Sequence, residues 1–267
     1  MKALLKNLLA ILGYELCPAP LAHKLSRSTD RFALETVAQN GLTINTVIDV
    51  GAAYGEWSSL ARTIFPKARY ILIEPLPQYD DWLNPLLTEF PNFSRIKAAA
   101  ADHAGTLTFN LHEDWCGSSL LHEIEGPSVD GKPIEVKSIT LDEAVKQHKL
   151  EGPFFIKLDV QGSENLVLSG ATTILPQTAC LLIETSMFEF YKNGPLIHDI
   201  FATMRQHDFV IYDILNLQYR LLDNALSQAD LVFVPSDSPL RQYHIYASPD
   251  QRLQQNKRFI RDRNRNK

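Results

Sequence analysis

From about residue 44 onward, short apolar runs alternate with stretches of helical period, the pattern of parallel strands joined by crossover helices. Residues 46–50, 70–73, 154–158 and 180–183 are almost continuously apolar rather than alternating, as strands covered on both faces are. Helices are predicted between them, over residues 57–65, 79–89 and 164–175. Together these elements predict an α/β fold around a largely parallel sheet.

Two segments depart from that rhythm. Residues 106–111 (TLTFNL) alternate and follow Ala104-Gly105, which predicts an antiparallel hairpin inserted after the third strand. Residues 112–134 carry His, Gly, Ser, Pro and Asp with little periodicity and are predicted to form a long surface loop of the kind that usually carries function. Residues 209–212 and 231–234 read as a final pair of strands. The ends differ from the body, giving a helical extension over 1–43, one α/β domain over 44–247 and a basic tail over 248–267.

Residues 1–12 (MKALLKNLLAIL) place Leu4, Leu5, Leu8, Leu9 and Leu12 on one helical face. The run is too short to span a bilayer, and Lys6 interrupts it. The expectation is a helix packed on the domain or a second copy, with peripheral membrane contact as the alternative. The tail from Arg252 is expected to be a solvated, partly frayed helix rather than a nucleic-acid arm.

Composition adds bounds. The 267 residues are 45% hydrophobic and 21% charged, enough for an ordinary core without staples. A net charge of −5 argues against a nucleic-acid partner. The three cysteines show no CxxC or metal spacing, so reduced thiols in a cytoplasmic protein are expected.

The chemistry concentrates at strand ends. In Val47-Ile48-Asp49-Val50-Gly51-Ala52-Ala53-Tyr54-Gly55 a buried strand runs through an acid into a tight turn, with a helix starting near Glu56. Such glycines let backbone approach a nucleotide-like ligand. Glu74, followed by Pro75 and 23 positions after Gly51, ends the next strand, where a carboxylate can accept both hydroxyl protons of a ribose. A dinucleotide site would want G-x-G-x-x-G for its pyrophosphate. The spacing here is Gly51-x-x-x-Gly55, and Asp49 suits an ammonium better than a phosphate, which favours S-adenosylmethionine over NAD.

The second motif is Ile156-Lys157-Leu158-Asp159-Val160-Gln161-Gly162-Ser163-Glu164. It sets Asp159 at the carboxyl end of a central strand, where open α/β sheets bind ligands. A lysine inside an apolar strand is costly unless paired, so Lys157 is either a functional group or a salt-bridge partner.

VIDVGAAYG, ILIEP, SITLDEAV, FIKLDVQGSE and LLIE, in that order, resemble the FkbM-type methyltransferases over roughly residues 46–235. The resemblance implies a class I methyltransferase (Rossmann-like) fold, with a doubly wound, mostly parallel seven-stranded sheet. It implies methyl transfer from S-adenosyl-L-methionine, typically to a hydroxyl of a small molecule or glycan. Carried onto this chain, Asp49, Gly51, Ala52, Ala53, Tyr54 and Gly55 would cradle the cofactor's amino-acid part. Glu74 and Pro75 would hold the ribose, Ala101 and Asp102 would lie near the adenine, and Asp159 and Val160 would face the reactive end. Members commonly carry Asn where this chain has Ala53 and Glu where it has Gln161.

Hydroxyl methylation requires alignment of nucleophile, carbon and sulfur, and removal of one proton. Asp159 is expected to orient the acceptor, with Lys157 beside it and His112 as the base nearest neutral pH; His122 and His198 are further histidine candidates. Trp115, Ser118 and Ser119 are expected to cover the acceptor. No metal is expected to be required, although Asp159 and Glu184 end neighbouring strands and oxygen ligands suit Mg²⁺. The rival readings are a non-catalytic cofactor-binding scaffold and an amino-group methyltransferase.

Overall fold

In a computed structural model the described residues are 28–265. The predicted amphipathic helix over residues 1–12 lies outside them. The described residues form α1 (Asp30–Gln39), then β1 (Thr46–Val50), α2 (Glu56–Ile64), β2 (Arg69–Ile73), α3 (Asp80–Glu89) and β3 (Phe93–Ile96). A short β4 (Ala99–Ala100), β5 (Gly105–Leu111) and β6 (Lys132–Ile139) lead into α4 (Leu141–His148). Next come β7 (Phe154–Leu158), α5 (Glu164–Ser169), β8 (Thr178–Ser186), α6 (Ile197–Gln206), β9 (Phe209–Tyr219), β10 (Leu226–Pro235) and α7 (Pro249–Arg265).

Seven strands form one sheet in the order β3-β2-β1-β7-β8-β10-β9. The pairs from β3 to β8 are parallel, and β10 runs antiparallel to both of its neighbours. The chain moves outward from β1 through β2 to β3, then returns to lay β7 on the other side of β1. This is the class I methyltransferase topology, and the reversal opens a crevice at the carboxyl ends of β1 and β7.

Strand alternation builds two cores, one on each face of the sheet. Val47, Tyr70, Leu72, Phe155 and Leu182 point to one layer, and Ile48, Val50, Ile71, Ile156 and Leu158 to the other. Both layers are closed by helices, which explains why these strands read as unbroken apolar runs.

β5 and β6 pair antiparallel, Gly105 with Ser138 through Leu111 with Lys132, and β4 joins β6 in parallel. The expected hairpin is thus part of a separate three-stranded sheet, and its connection, residues 112–131, folds back over the strand ends. The expected helix over 164–175 stops at Ser169. Beyond Gly170 the backbone N–H groups of Thr173 and Ile174 donate to the carboxylate of Asp142 instead of continuing the helix. The last two strands run longer than their apolar centres suggested, since their outer residues are polar or exposed.

Candidate active site

Two adjoining cavities open at the carboxyl ends of β1, β2, β7 and β8. The first spans about 730 Å³, counting space open to solvent, and is lined largely by apolar groups, among them Leu76, Tyr79, Phe109, Trp115 and Val160, with Ala99 and Ala100. The second is wider, about 1040 Å³, and is lined by Asp30, Lys157, Asp159, Glu184, Asn216 and Asp230 with Trp57 and Tyr54. Gly51, Ala53 and Asp159 line both.

Glu74 is buried in the wall of the first cavity. One carboxylate oxygen accepts the N–H of Ala53 at 3.0 Å and the other the N–H of Leu76 at 2.9 Å. Burial pushes its carboxyl up to about 7, against the pull of those two donors. Each oxygen keeps a lone pair for a further donor such as a sugar hydroxyl.

The β1–α2 turn is shaped by backbone packing. Gly51 has φ +74°, and a Cβ there would stand 1.9 Å from the carbonyl oxygen of Asp159. Gly55, also at φ +74°, faces the side-chain ends of Leu86 and Leu83 and lines neither cavity. These glycines bring chain against chain more than they admit a ligand. Ala53 lies between them at φ +44°, an unfavourable conformation for alanine. Ala52 and Tyr54 line the second cavity.

Asp49 does not reach either cavity, contrary to the expected contact with the amino-acid part of the cofactor. It is fully buried, accepts the hydroxyl of Ser58 at 2.6 Å, and stands 3.6 Å from the nitrogen of Lys157. Lys157, which lines the second cavity, links this sealed carboxylate to it.

Lys157 is the charged centre of the β7 end. Its nitrogen donates to Asp159 at 3.1 Å. Burial opposes its charge, but Asp159 and Asp49 outweigh burial and raise its pKa further, so it stays protonated. The other oxygen of Asp159 accepts from Gln161 at 2.9 Å, and Gln161 donates equally to Glu184 at 2.9 Å. Burial, with Asp159 and Asp230 close by, raises the Glu184 carboxyl well above the ordinary range. Asp230 sits opposite Glu184 in the β8–β10 register; burial raises it to about 6, against a 2.7 Å hydrogen bond from Asn216.

The remaining motif residues shape the loops. Glu164 accepts the N–H groups of Val160 and Gly162 at 3.3 and 3.2 Å, tying the loop after β7. In SITLDEAV, Thr140 and Glu143 form a capping box at the start of α4.

A cluster of aromatic rings borders the first cavity, with Tyr79 and Trp115 in its lining. Tyr54 contacts Tyr79 and Trp82 edge-on, with centroids 4.9 and 5.1 Å apart, and Trp115 reaches Tyr79 at 5.8 Å. Trp115 and Ser118 therefore line the first cavity, not a separate acceptor chamber. Ser119 donates to the backbone carbonyl of Gln161 at 2.7 Å, pinning the loop to the β7 end.

Several expected residues fall elsewhere. His112 lines neither cavity: its ring packs on Gly117 and lies 3.5 Å from Glu123. The ring is held within its own loop, between Gly117 and Glu123. His122 pairs with Asp130 and His198 with Asp199, both on the surface. Ala101 is buried with its carbonyl against Gly170, and Asp102 is exposed and bound to His103 at 2.7 Å. Pro75 and Val160 line the first cavity. Sequence reasoning missed Leu76, Tyr79 and Phe109 in the first cavity and Asp30, Trp57, Asn216 and Asp230 in the second. Trp57 stands two positions past the first motif, whereas Asp30, Asn216 and Asp230 come from α1, β9 and β10, far from either motif. Among the described residues no group of side chains has the arrangement of a metal site, and no helix is long and apolar enough to cross a membrane.

Comparison with known proteins gives a match over residues 49–211 to the family model of the methyltransferase FkbM domain. The chain is 26% identical over 159 residues to the 2-O-methyltransferase NoeI of Sinorhizobium fredii, covering 55% of this chain and 65% of that protein. It thus spans a little under two thirds of that relative's length. Among solved structures it is similar to a putative methyltransferase from Thermobifida fusca YX, at 11% identity and a TM-score of 0.45, covering 77% and 78% of the two chains. It is also similar to Aeropyrum pernix fibrillarin with S-adenosyl-L-methionine, at 13% identity and a TM-score of 0.42, covering 76% and 74%.

Proposed function

The chain belongs to the FkbM methyltransferase family, and from that premise we propose that it methylates a hydroxyl group on a sugar, glycan or related small metabolite. Its methyl donor is S-adenosylmethionine. When bound, that cofactor supplies a methyl group on a positively charged sulfur, ready for in-line displacement.

The observation that carries the reading is a single continuous site. A carboxylate in the wall of an apolar, aromatic-bordered cavity adjoins a polar cavity holding Lys157, Asp159 and Glu184. The residues fit the cofactor. Leu76, Phe109 and Val160 offer flat apolar walls for an adenine, and Glu74 offers acceptors for ribose hydroxyls. The backbone at Gly51 and Ala53 borders the passage between the cavities. A pyrophosphate would meet Asp159 and Glu184 there, which disfavours a dinucleotide.

In the second cavity Asp159, fixed by Lys157 and Gln161, accepts a hydrogen bond from the acceptor hydroxyl and orients it. Glu184, whose burial raises its affinity for a proton, takes the hydroxyl proton directly or through a water molecule. This role passes to Glu184 from His112, which lines neither cavity. The 2-O-methyltransferase relative supports oxygen as the atom methylated. An amine acceptor is the second reading, because the carboxylates lining this cavity outnumber its one lysine.

The test is calorimetric titration of the full chain with S-adenosylmethionine and S-adenosylhomocysteine, with NAD and ATP as controls and Glu74→Ala alongside. Binding of the two adenosyl ligands alone, weakened at least tenfold in the variant, is the expected result. Hydroxylated and amino sugars are then screened with labelled methyl donor. Absence of binding, or tighter binding of NAD, would overturn the reading.

A further inference from the structure

Gln161 lines the first cavity, beside Asp159, which lines both, and reaches Glu184 in the lining of the second. Its backbone follows β7, and its side chain makes three directed contacts. The amide nitrogen donates to Asp159 and to Glu184, both at 2.9 Å, and the amide oxygen accepts the hydroxyl of Tyr191 at 3.2 Å. An ionised carboxylate only accepts, so the amide can satisfy both only with its nitrogen toward them. The Tyr191 hydroxyl lies 3.2 Å from both the amide oxygen and the Gly117 carbonyl and shares its one proton between them, so the two carboxylates fix the orientation. The backbone is committed as well: Gln161 has φ +52°, and its carbonyl accepts from Ser119 at 2.7 Å.

We propose that Gln161 is a positioning residue that clasps Asp159 and Glu184 as one unit beside the cofactor cavity. The inference rests on the methyltransferase reading, since it assigns those two carboxylates to the acceptor. Without the two N–H donors, the carboxylates of neighbouring strand ends would repel and separate. With them, Asp159 stays aimed between the cavities, and Glu184 stays beside it as proton acceptor. The titratable groups around the clasp are Lys157 on β7, Asp49 on β1, Asp230 on β10 and Glu164 on α5. Asp30 on α1, Tyr191 after β8 and Glu123 in the β5–β6 loop join them. Lys157 is the one cation among them, and it binds Asp159 rather than Glu184.

In this chain the position supplies N–H donors to two carboxylates, and Gln161→Glu, which installs the residue related members commonly carry, changes that donor character while keeping the shape. At pH 5.5 the new carboxyl, protonated among acidic neighbours, still donates one hydrogen bond. At pH 8 it becomes a third carboxylate facing two others. S-adenosylhomocysteine affinity is measured by calorimetry, and apo-protein melting temperature by circular dichroism, at both pH values. Wild type, Gln161→Glu and Gln161→Met are compared.

The expected result is a Gln161→Glu affinity within about twofold of wild type at pH 5.5 and at least about tenfold weaker at pH 8. Its melting temperature should fall against wild type over the same interval. Gln161→Met should be weaker by a similar factor at both values. A ratio of Gln161→Glu to wild type that does not change with pH would overturn the proposal. A pH-dependent melting difference with unchanged ligand affinity would also overturn it, leaving the contacts purely structural. If wild type binds no adenosyl ligand, the methyltransferase reading fails and the positioning role falls with it; the melting data then report only whether the clasp itself forms.

Discussion

Lys157 and Asp159, two residues apart at the end of β7, point to the same side of the strand and meet at 3.1 Å. The same lysine nitrogen lies 3.6 Å from the fully buried Asp49 on β1. One cation thus links a carboxylate that lines the site to one sealed beneath it.

Lys157→Met is expected to destabilise the protein by about 3 kcal/mol, because it leaves the Asp49 charge buried and unpaired. Asp49 then takes up a proton more readily, so the variant should recover stability as pH falls from 7 toward 4. Urea unfolding at several pH values checks both statements. A loss below about 0.5 kcal/mol would mean that Asp49 is already neutral beside Ser58.

Glu74 gives a pH dependence of defined sign. Its carboxyl is raised from 4.5 to about 7, so the folded state favours the protonated form. Below pH 4.5 the group has no linkage effect. Between 4.5 and 7 the fold loses stability as pH rises, by about 3 kcal/mol in full. Wild-type stability relative to Glu74→Gln should therefore fall across that window. Affinity for S-adenosylhomocysteine should rise from pH 6 to 8 in wild type and stay flat in the variant.

At Gly51 the missing side chain matters for the fold before it matters for any ligand. Gly51→Ala forces a Cβ onto the Asp159 carbonyl and strains a positive φ, so a loss of about 3 kcal/mol or more is expected. Gly55→Ala meets only the ends of Leu86 and Leu83, which can shift, and should cost less. Melting temperatures of the two variants give the order directly.

Ala53 occupies a left-handed conformation that asparagine tolerates better. Ala53→Asn should stabilise the protein by about 1 kcal/mol while keeping the backbone N–H bonded to Glu74. Chemical denaturation measures it, and unchanged or reduced stability would mean that the new side chain is crowded by the cavity.

Much of the architecture was legible in the chain itself. The apolar runs at 46–50, 70–73 and 154–158 became central parallel strands, because burial on both faces leaves a local, unbroken signature. The two motifs located the strand ends, since acids and glycines there have no role in a covered strand. The end of α5 was less legible, because the carboxylate that takes its next N–H groups belongs to Asp142, far back in the sequence.

Which side chains share the site was decided only by tertiary structure. Asp49 and Asp159 look alike as acids at strand ends, yet one is sealed under Lys157 and the other lines both cavities. His112 had the right chemistry for a base, but its own loop holds it beside Glu123. Gln161 reaches Glu184, 23 positions away, and Asp230 and Asn216 arrive from strands with no motif at all. Periodicity reports which face of an element is buried, a local property of each strand or helix. Hydrogen bonds and ion pairs form between side chains that only strand order and register bring together, and no spacing along the chain encodes those distances.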